Sequence, residues 1–161
     1  MGWAVAVVAG VVLVASYLTW TAKRVDRLHA RAGSAARALD AQLVRRAATA
    51  AVMAEEPPGD PDLYAAARGA LDARLEDREA AENDLTRMLR KRQLDLEDPL
   101  AAAVVGASRR VALARQVHTD LVRDALGARS RPLVRLLRLG RRHAVPAYFD
   151  IDDPTVTTSV T

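Results

Sequence analysis

The sequence contains no cysteine, and this absence excludes several kinds of chemistry at once. A chain without cysteine forms no disulfide, offers no thiolate to a metal ion and carries no lipidated cysteine. Aromatic residues are also scarce, since Phe, Trp and Tyr make up only 4% of the chain. The three histidines are tens of residues apart and lack the spacing of a zinc site. The sequence therefore predicts no metal centre and no cofactor.

Motifs for catalysis are missing from the sequence as well. Ser108 follows Gly106, but Arg110 stands where a nucleophile elbow requires a second glycine. The sequence has neither a phosphate-binding P-loop nor a GxGxxG fingerprint. The polar pair Glu82 and Asn83 is a candidate site, and the alternative is a surface pair or a hydrogen-bonded element of the core. We therefore predict that the protein is not an enzyme.

Charged side chains are absent from residues 1–22, and Lys23 and Arg24 follow at once. About 20 apolar residues in a helix are enough to cross a hydrocarbon core about 30 Å thick. Trp3 and Trp20 lie near the two ends of this stretch, at the depths where indole side chains are most stable. The sequence thus predicts a transmembrane anchor over residues 1–22. A cleavable signal peptide is the alternative, but its apolar run is shorter and is preceded by basic residues.

The basic residues that flank this stretch predict its orientation. Lys23, Arg24, Arg27 and Arg31 all follow the apolar run, and no Lys or Arg precedes it. Basic flanks are retained on the cytoplasmic side of a membrane. We therefore expect a single-pass protein of the cell membrane whose C-terminal domain is cytoplasmic.

Beyond the anchor, the spacing of apolar residues predicts an all-α domain over residues 23–145. Small or apolar residues recur at steps of three and four, as on one face of a helix. The three long helices predicted in this way span residues 23–55, 62–93 and 100–126. We expect the first to continue the membrane helix without interruption. Proline-containing turns at 55–62 and 95–99 separate the helices, and Asp62 is the predicted cap of the second.

The predicted core positions form one stripe on each helix. In chain order they are Val25, Leu28, Ala32, Ala35, Leu39, Leu43, Ala47, Ala50, Leu63, Ala67, Leu71, Leu75, Leu85, Leu89, Val104, Val111, Ala114, Val117, Leu121 and Ala125. Because short turns join helices of similar length, the pattern favours an antiparallel bundle within one chain. A coiled-coil oligomer that projects from the membrane is the alternative.

The segment RPLVRLLRLGRR, residues 131–142, predicts a short basic fourth helix. A helix would bring Arg131, Arg135, Arg138 and Arg142 to one face and spread the leucines over the other. This face could contact anionic lipid or phosphates, or the helix could serve only to lay its leucines on the bundle. Nucleic acid is the less favoured partner, because 20 acidic residues are interspersed with the 24 basic ones.

Residues 146–161 predict an extended C-terminal tail. Tyr148 and Phe149 are the only adjacent aromatic residues in the chain, and with Ile151 they supply apolar area for docking on the bundle. The rival interpretation is a free peptide that is presented to a partner. The neighbouring aspartates lack the glycine and the distal glutamate of a calcium loop. After Pro154 no pattern is visible, and we expect disorder there.

Four blocks of the sequence, taken together and in order, resemble the LemA family. RRVALARQVHTDLVRDAL, residues 109–126, and PAYFDIDD, residues 146–153, resemble its last long helix and its closing signature. LDAQLVRR, residues 39–46, and AENDLTRML, residues 81–89, resemble its two earlier blocks. The resemblance implies a bacterial, membrane-anchored protein whose soluble part is an antiparallel helical bundle and whose biochemical role is poorly defined.

The chain also departs from the pattern of that family. Ala47 and the apolar stretch that follows stand where the family has His and Pro after the first block. Leu113, Val117 and Leu126 stand where its late helix has aromatic residues. Any function that the family carries through those side chains is therefore not expected of this chain.

These patterns together predict a membrane-anchored cytoplasmic interaction or scaffold protein with an unidentified protein partner. The candidate interaction surface consists of Arg131, Arg135, Arg138, Arg142, Tyr148 and Phe149. The alternative is a protein that binds anionic lipid or nucleic acid through residues 131–142.

Overall fold

The computed structural model describes residues 1–136 and 144–156. In these ranges the chain forms five helices and no β-strand. They are α1 (Gly2–Glu55), α2 (Pro61–Asp72), α3 (Arg78–Lys91), α4 (Pro99–Arg129) and α5 (Pro132–Leu136). The all-α prediction is therefore confirmed. The predictions for Arg138, Arg142 and the last five residues of the tail lie outside the described residues.

Helix α1 runs without interruption from the apolar N-terminal stretch into the charged part of the chain. It spans Gly2–Glu55, so the expected continuation past residue 22 is confirmed. Within the described residues, α1 is the one helix that is long and apolar enough to cross a membrane, and none of its most apolar window is buried. A stretch with that exposure contributes nothing to the protein core, which is what a lipid-facing span requires.

The chain divides into two compact units, and both α1 and α4 contribute to each. One unit consists of Met1–Ser34 and Asp120–Ala147, and the other of Ala35–Thr119 and Tyr148–Thr161. The first contains the apolar span that could cross a membrane, and for this reason alone we call it the membrane-side unit. We call the second the core unit.

The largest apolar cluster lies in the core unit. It joins the end of α1 to α2, α3 and the beginning of α4, and alanine supplies many of its contacts. Its members include Ala47, Ala50, Leu63, Leu85, Leu89 and Val104, each 1% exposed or less. A second cluster joins Leu39 and Leu43 of α1 to Val111 of α4 and to Ile151 of the tail. Later residues of α1 thus pack with earlier residues of α4.

The second predicted helix is wrong as a single element, because the structure breaks it into α2 and α3. Leu75, which the stripe placed in the core, is 87% exposed in the turn between them. Few apolar residues lie between Leu75 and Leu85, so a continued helix would bury little surface there. The chain instead turns so that α3 packs against α2. Arg78 on α3 donates to the carbonyl of Ala70 near the end of α2, over 3.3 Å.

The cap of α2 also differs from the prediction. Asp60, not Asp62, is the N-cap residue, and its Oδ1 accepts the N–H of Leu63 over 3.0 Å. Pro61 then occupies the first helical position, where a fixed φ suits the helix and no N–H is required. Gly59 precedes the cap with a φ of +81°, a conformation that favours glycine.

The membrane-side unit has two smaller clusters. Val25 packs with Ala128 and with Val134 of α5, while Ala32 packs with Val122 and Ala125. Val134 is 1% exposed, but Leu136, expected on the same apolar face of the basic helix, is 78% exposed. Only part of the predicted apolar face is therefore used within the described residues.

The stripe predicted for α1 is the most accurate of the three. Seven of its eight positions are buried and Leu28 is partly buried. On α4 the register is less accurate, because Val117 is 47% exposed and Leu121 is only partly buried. Val122, the neighbour of Leu121, is fully buried instead.

Candidate functional site

The polar end of the apolar span is the first candidate functional feature of the molecule. Trp20 and Tyr17 lie with their ring centroids 6.3 Å apart, and the guanidinium of Arg24 lies 5.6 Å from the centre of the Trp20 ring. Arg27 and Arg31 follow one and two turns later and line the same surface recess of about 300 Å³. An aromatic residue followed by a column of arginines matches the passage from hydrocarbon to phosphate headgroups.

The second feature is an ion pair that is completely buried in the core unit. Nη2 of Arg46 on α1 lies 3.0 Å from Oε2 of Glu82 on α3, and both side chains are 0% exposed. The same nitrogen donates to the carbonyl of Glu82 over 3.1 Å and to Oγ1 of Thr86 over 2.8 Å. Thr86 in turn donates to the carbonyl of Glu82 over 2.8 Å. The pair therefore joins α1 to one turn of α3.

This polar cluster is only partly satisfied. Nε and Nη1 of Arg46 and Oε1 of Glu82 are buried without a hydrogen-bond partner. Burial raises the pKa of Glu82, although the guanidinium of Arg46 opposes this effect. Burial likewise lowers the pKa of Arg46, again against the influence of its partner. Both directions mean that the loss of hydration outweighs the attraction within the pair.

The third feature is the contact between the tail and α3. The N–H of Asp150 donates to Oε1 of Glu79 over 2.9 Å, and the N–H of Asp152 donates to Oδ1 of Asn83 over 2.8 Å. Arg90 donates to the carbonyl of Asp153 over 2.6 Å. Three side chains on one helix therefore bind the backbone of the tail.

Apolar contacts hold the same segment on the core unit. Ile151 is 3% exposed and packs with Leu39, Leu43 and Val111, while Phe149 packs on this cluster from its edge. Pro154 is buried as well. Val156 packs against the largest apolar cluster, although the sequence predicts disorder after Pro154. The tail thus docks through Ile151, Phe149 and Val156, whereas the side chain of Tyr148 is 50% exposed.

The candidate residues that the structure describes belong to two different units of the chain. Arg131 and Arg135 are exposed at and within α5, in the membrane-side unit. Tyr148 and Phe149 belong to the core unit. Of the polar pair singled out in the sequence, Glu82 forms the buried ion pair and Asn83 binds the tail.

Sequence reasoning missed Arg46, Glu79 and Arg90 as polar contacts. Arg46 sits among the core positions Leu43, Ala47 and Ala50 of α1, and this position on the buried face was the signal that could have identified it. Glu79 and Arg90 look like ordinary solvated charges in the sequence. Only the position of the tail gives them a role.

His118 is a further buried titratable group, with 4% of its surface exposed and Nδ1 unpartnered. Burial lowers the pKa of its imidazole. Within the described residues, no group of three His, Asp or Glu side chains is arranged to hold a metal ion.

Comparison with known proteins adds no assignment. No protein-family model matches the sequence, and neither the curated proteins nor the solved structures gave a match.

Proposed function

We propose that this protein is a single-pass membrane protein that presents a cytoplasmic helical domain for interaction with a protein partner, in the manner expected of a LemA-like protein. The observation that carries the proposal is the continuity of α1. One helix contains both an apolar span without buried residues and positions that belong to the apolar clusters of the core unit. The chain therefore passes from the apolar span to the residues of the core within one continuous helix.

The arrangement of the cytoplasmic part in this proposal is an antiparallel bundle of α1, α2, α3 and α4, with α5 as the short basic helix. Contacts within each unit support it. Leu43 of α1 packs with Val111, whereas the later cluster of α1 packs with Val104. In the membrane-side unit Val25 packs with Ala128, and Ala32 with Val122. Helices that run in opposite directions produce this order of contacts.

Contacts among the four sequence blocks support the LemA-like part of the proposal. Arg46 from the first block pairs with Glu82 from the second, and Asn83 from the second binds Asp152 from the last. Val111 from the third block packs with Ile151 from the last. Blocks that contact one another in the fold are expected to occur together in a sequence.

An interaction role is favoured over catalysis by the chemistry of the described residues. The buried polar residues are the incompletely satisfied ion pair, Thr21, Thr86, Ser108 and His118. Oγ of Ser108 and Nδ1 of His118 have no hydrogen-bond partner, so neither is part of a nucleophile–base pair. What the core unit does offer is a face that binds an extended peptide backbone.

Membrane extraction tests the anchor. The full-length protein should stay with the membrane at high pH and high salt and should be released by detergent, because about 20 apolar residues are embedded in hydrocarbon. A variant with Val8→Asp and Val12→Asp is the matched control, since each charge at the centre of a span costs about 2.5–3.5 kcal/mol. Release of the unaltered protein by high pH alone would contradict the proposal.

Binding of anionic lipid is the second candidate function. It is favoured by the position of α5, because Val134 packs with Val25, one residue after Arg24 at the end of the apolar span. The exposed Arg131 and Arg135 then lie near the level of the headgroups. Each basic side chain near an anionic surface contributes about 1 kcal/mol.

Vesicles of two compositions test this candidate. Cleavage by trypsin after Arg135 should slow when neutral lipid is replaced by a mixture with anionic lipid. The variant Arg131→Gln should lose part of this protection. Equal cleavage in both kinds of vesicle would exclude lipid contact at α5.

A further inference from the structure

The contact between α3 and the tail follows the backbone of the tail rather than its side chains. The N–H groups of Asp150 and Asp152 and the carbonyl of Asp153 are bound, while the side chains of all three aspartates are exposed. A surface that binds backbone groups accepts many sequences, provided that the chain is extended.

The spacing of the two acceptors on α3 matches an extended chain. Glu79 and Asn83 are four residues apart, which is about 6 Å along a helix. Two residues of an extended chain advance by about 6.6–6.8 Å. Alternate N–H groups of a peptide therefore meet one acceptor per helical turn, and Arg90 meets a carbonyl further along. We call this set, Glu79, Asn83 and Arg90 with the apolar floor of Leu39, Leu43 and Val111, the tail-binding face.

Selectivity for side chains resides in the apolar floor. Ile151 fills it, Phe149 covers its edge, and Pro154 is buried three residues after Ile151. A peptide that fits must therefore have an aromatic residue, an aliphatic residue two positions later and a proline three positions after that. The positions between them face solvent and impose no requirement of size.

Charge adds a preference for acidic peptides. Arg90 and Arg115 both lie near enough to Asp153 to favour its ionised form, although its hydrogen bonds with Thr155 are the larger reason that its pKa is lowered. At the position of Asp153 an acidic residue therefore gains attraction from two arginines, which outnumber the one carboxylate of the face, that of Glu79.

From these observations we infer that the tail-binding face is a peptide-binding site, which the protein's own tail occupies and from which an extended acidic segment of a partner protein displaces it. The inference deepens the proposed function and rests on it. The tail of a second copy is a poorer occupant. It makes the same contacts as the protein's own tail, but only the tethered tail has a high effective concentration at the face. A partner segment can gain further contacts outside this footprint.

The test uses the full-length protein in detergent micelles and a fluorescent peptide, AVPAYFDIDDPTV, which copies residues 144–156. Ile151→Asp in the protein removes the apolar anchor of its own tail and leaves the face intact. Binding of the peptide to this variant should be saturable and about tenfold tighter than to the unaltered protein, whose face is occupied. A chain that ends at Ala147 is a second way to empty the face.

Two controls distinguish specific binding of the peptide backbone from non-specific binding of the peptide. Asn83→Leu, added to Ile151→Asp, should weaken peptide binding about fivefold to tenfold, because a hydrogen-bond acceptor for the peptide backbone is lost. In the peptide, N-methylation of Asp152 should have a similar effect. N-methylation of Asp153 should have little, since its N–H makes none of the three backbone contacts with α3.

Two results would overturn the inference. One is failure of the peptide to bind either emptied variant while that variant keeps the helical circular dichroism of the unaltered protein. The other is a full-length dimer that dissociates on Ile151→Asp, because the occupant would then be the tail of a second copy. The outcome of membrane extraction does not depend on either result. The membrane anchor and the peptide-binding site can therefore be confirmed or rejected separately.

Discussion

Replacing the buried ion pair by apolar residues should be far less damaging than removing either charge alone. Arg46 and Glu82 are both 0% exposed, so neither can turn to water when its partner is removed. A buried charge that loses its partner typically destabilises a protein by about 3–5 kcal/mol. We expect a loss of this size for Glu82→Leu. Arg46→Met should be somewhat milder, because Glu82 can take up a proton.

The directions of the two pKa shifts decide the outcome for the double variant. Burial raises the pKa of Glu82 and lowers that of Arg46, so desolvation outweighs attraction on both sides. Removing both groups removes both desolvation penalties and also the unpartnered Nε, Nη1 and Oε1 atoms. Thr86 keeps its hydrogen bond to the carbonyl of Glu82, which is a backbone atom. The double variant should therefore lie within about 1 kcal/mol of the unaltered protein or be more stable.

Urea unfolding of the full-length protein in non-ionic detergent, followed by circular dichroism, measures all four members of the cycle. The predicted coupling is about 3 kcal/mol or more, since the double variant recovers most of the loss caused by the singles. Losses that simply add in the double variant would refute the reasoning, because they would mean that the two side chains do not interact in the folded protein.

Three further predictions concern packing and pH. Leu85→Ala should destabilise the protein by about 2–5 kcal/mol, because this side chain is fully buried. Leu75→Ala should cost less than about 0.5 kcal/mol, because this side chain is 87% exposed. Equal losses in urea unfolding would instead support one long helix with both leucines in the core. Ile151→Ala should raise the rate of amide hydrogen exchange at Asp152 to that of a free peptide, whereas Tyr148→Ala should leave this rate slow. Fast exchange in Tyr148→Ala and slow exchange in Ile151→Ala would mean that Tyr148 makes the docking contact. Burial lowers the pKa of His118, so the folded protein binds fewer protons at this residue than the unfolded chain does once the pH falls below about 6.5. The free energy of unfolding should therefore decrease as the pH falls through this range. If His118→Gln showed the same pH dependence, another group would be responsible.

Much of the fold follows from the periodicity of α1. Its stripe predicted the buried face almost without error, because a long helix with many small residues has one face that can approach its neighbours closely. The continuity of the apolar stretch with the rest of α1 was predicted from the lack of proline and turn residues near residue 22. Both features are local, and local features are visible in a sequence.

The break between α2 and α3 was not visible in this way. Leu75 continues the heptad-like spacing of Leu71, but its exposure depends on where α3 packs, which is a tertiary effect. The shift from Leu121 to Val122 on α4 has a similar cause, because adjacent positions differ by 100° around a helix and a small rotation exchanges them.

The polar contacts were the least accessible to sequence reasoning. Arg46 and Glu82 are 36 residues apart, and the tail lies about 70 residues from its acceptors on α3. No periodicity joins positions so far apart. Glu82 and Asn83 are recognisable in the sequence as polar residues in a weak apolar stripe. Their partners, Arg46 for Glu82 and the tail for Asn83, follow only from the three-dimensional structure.

Topology in intact cells tests the central claim most directly, and the absence of cysteine makes the measurement clean. Leu75→Cys puts one thiol at a site that is 87% exposed in the domain that we propose to be cytoplasmic, and Gly2→Cys puts one at the other end of the apolar span. A membrane-impermeant maleimide applied to intact cells should label Gly2→Cys but not Leu75→Cys, which should react only after the cells are permeabilised. Labelling of Leu75→Cys in intact cells would contradict a cytoplasmic domain and with it the proposed role at the inner face of the membrane.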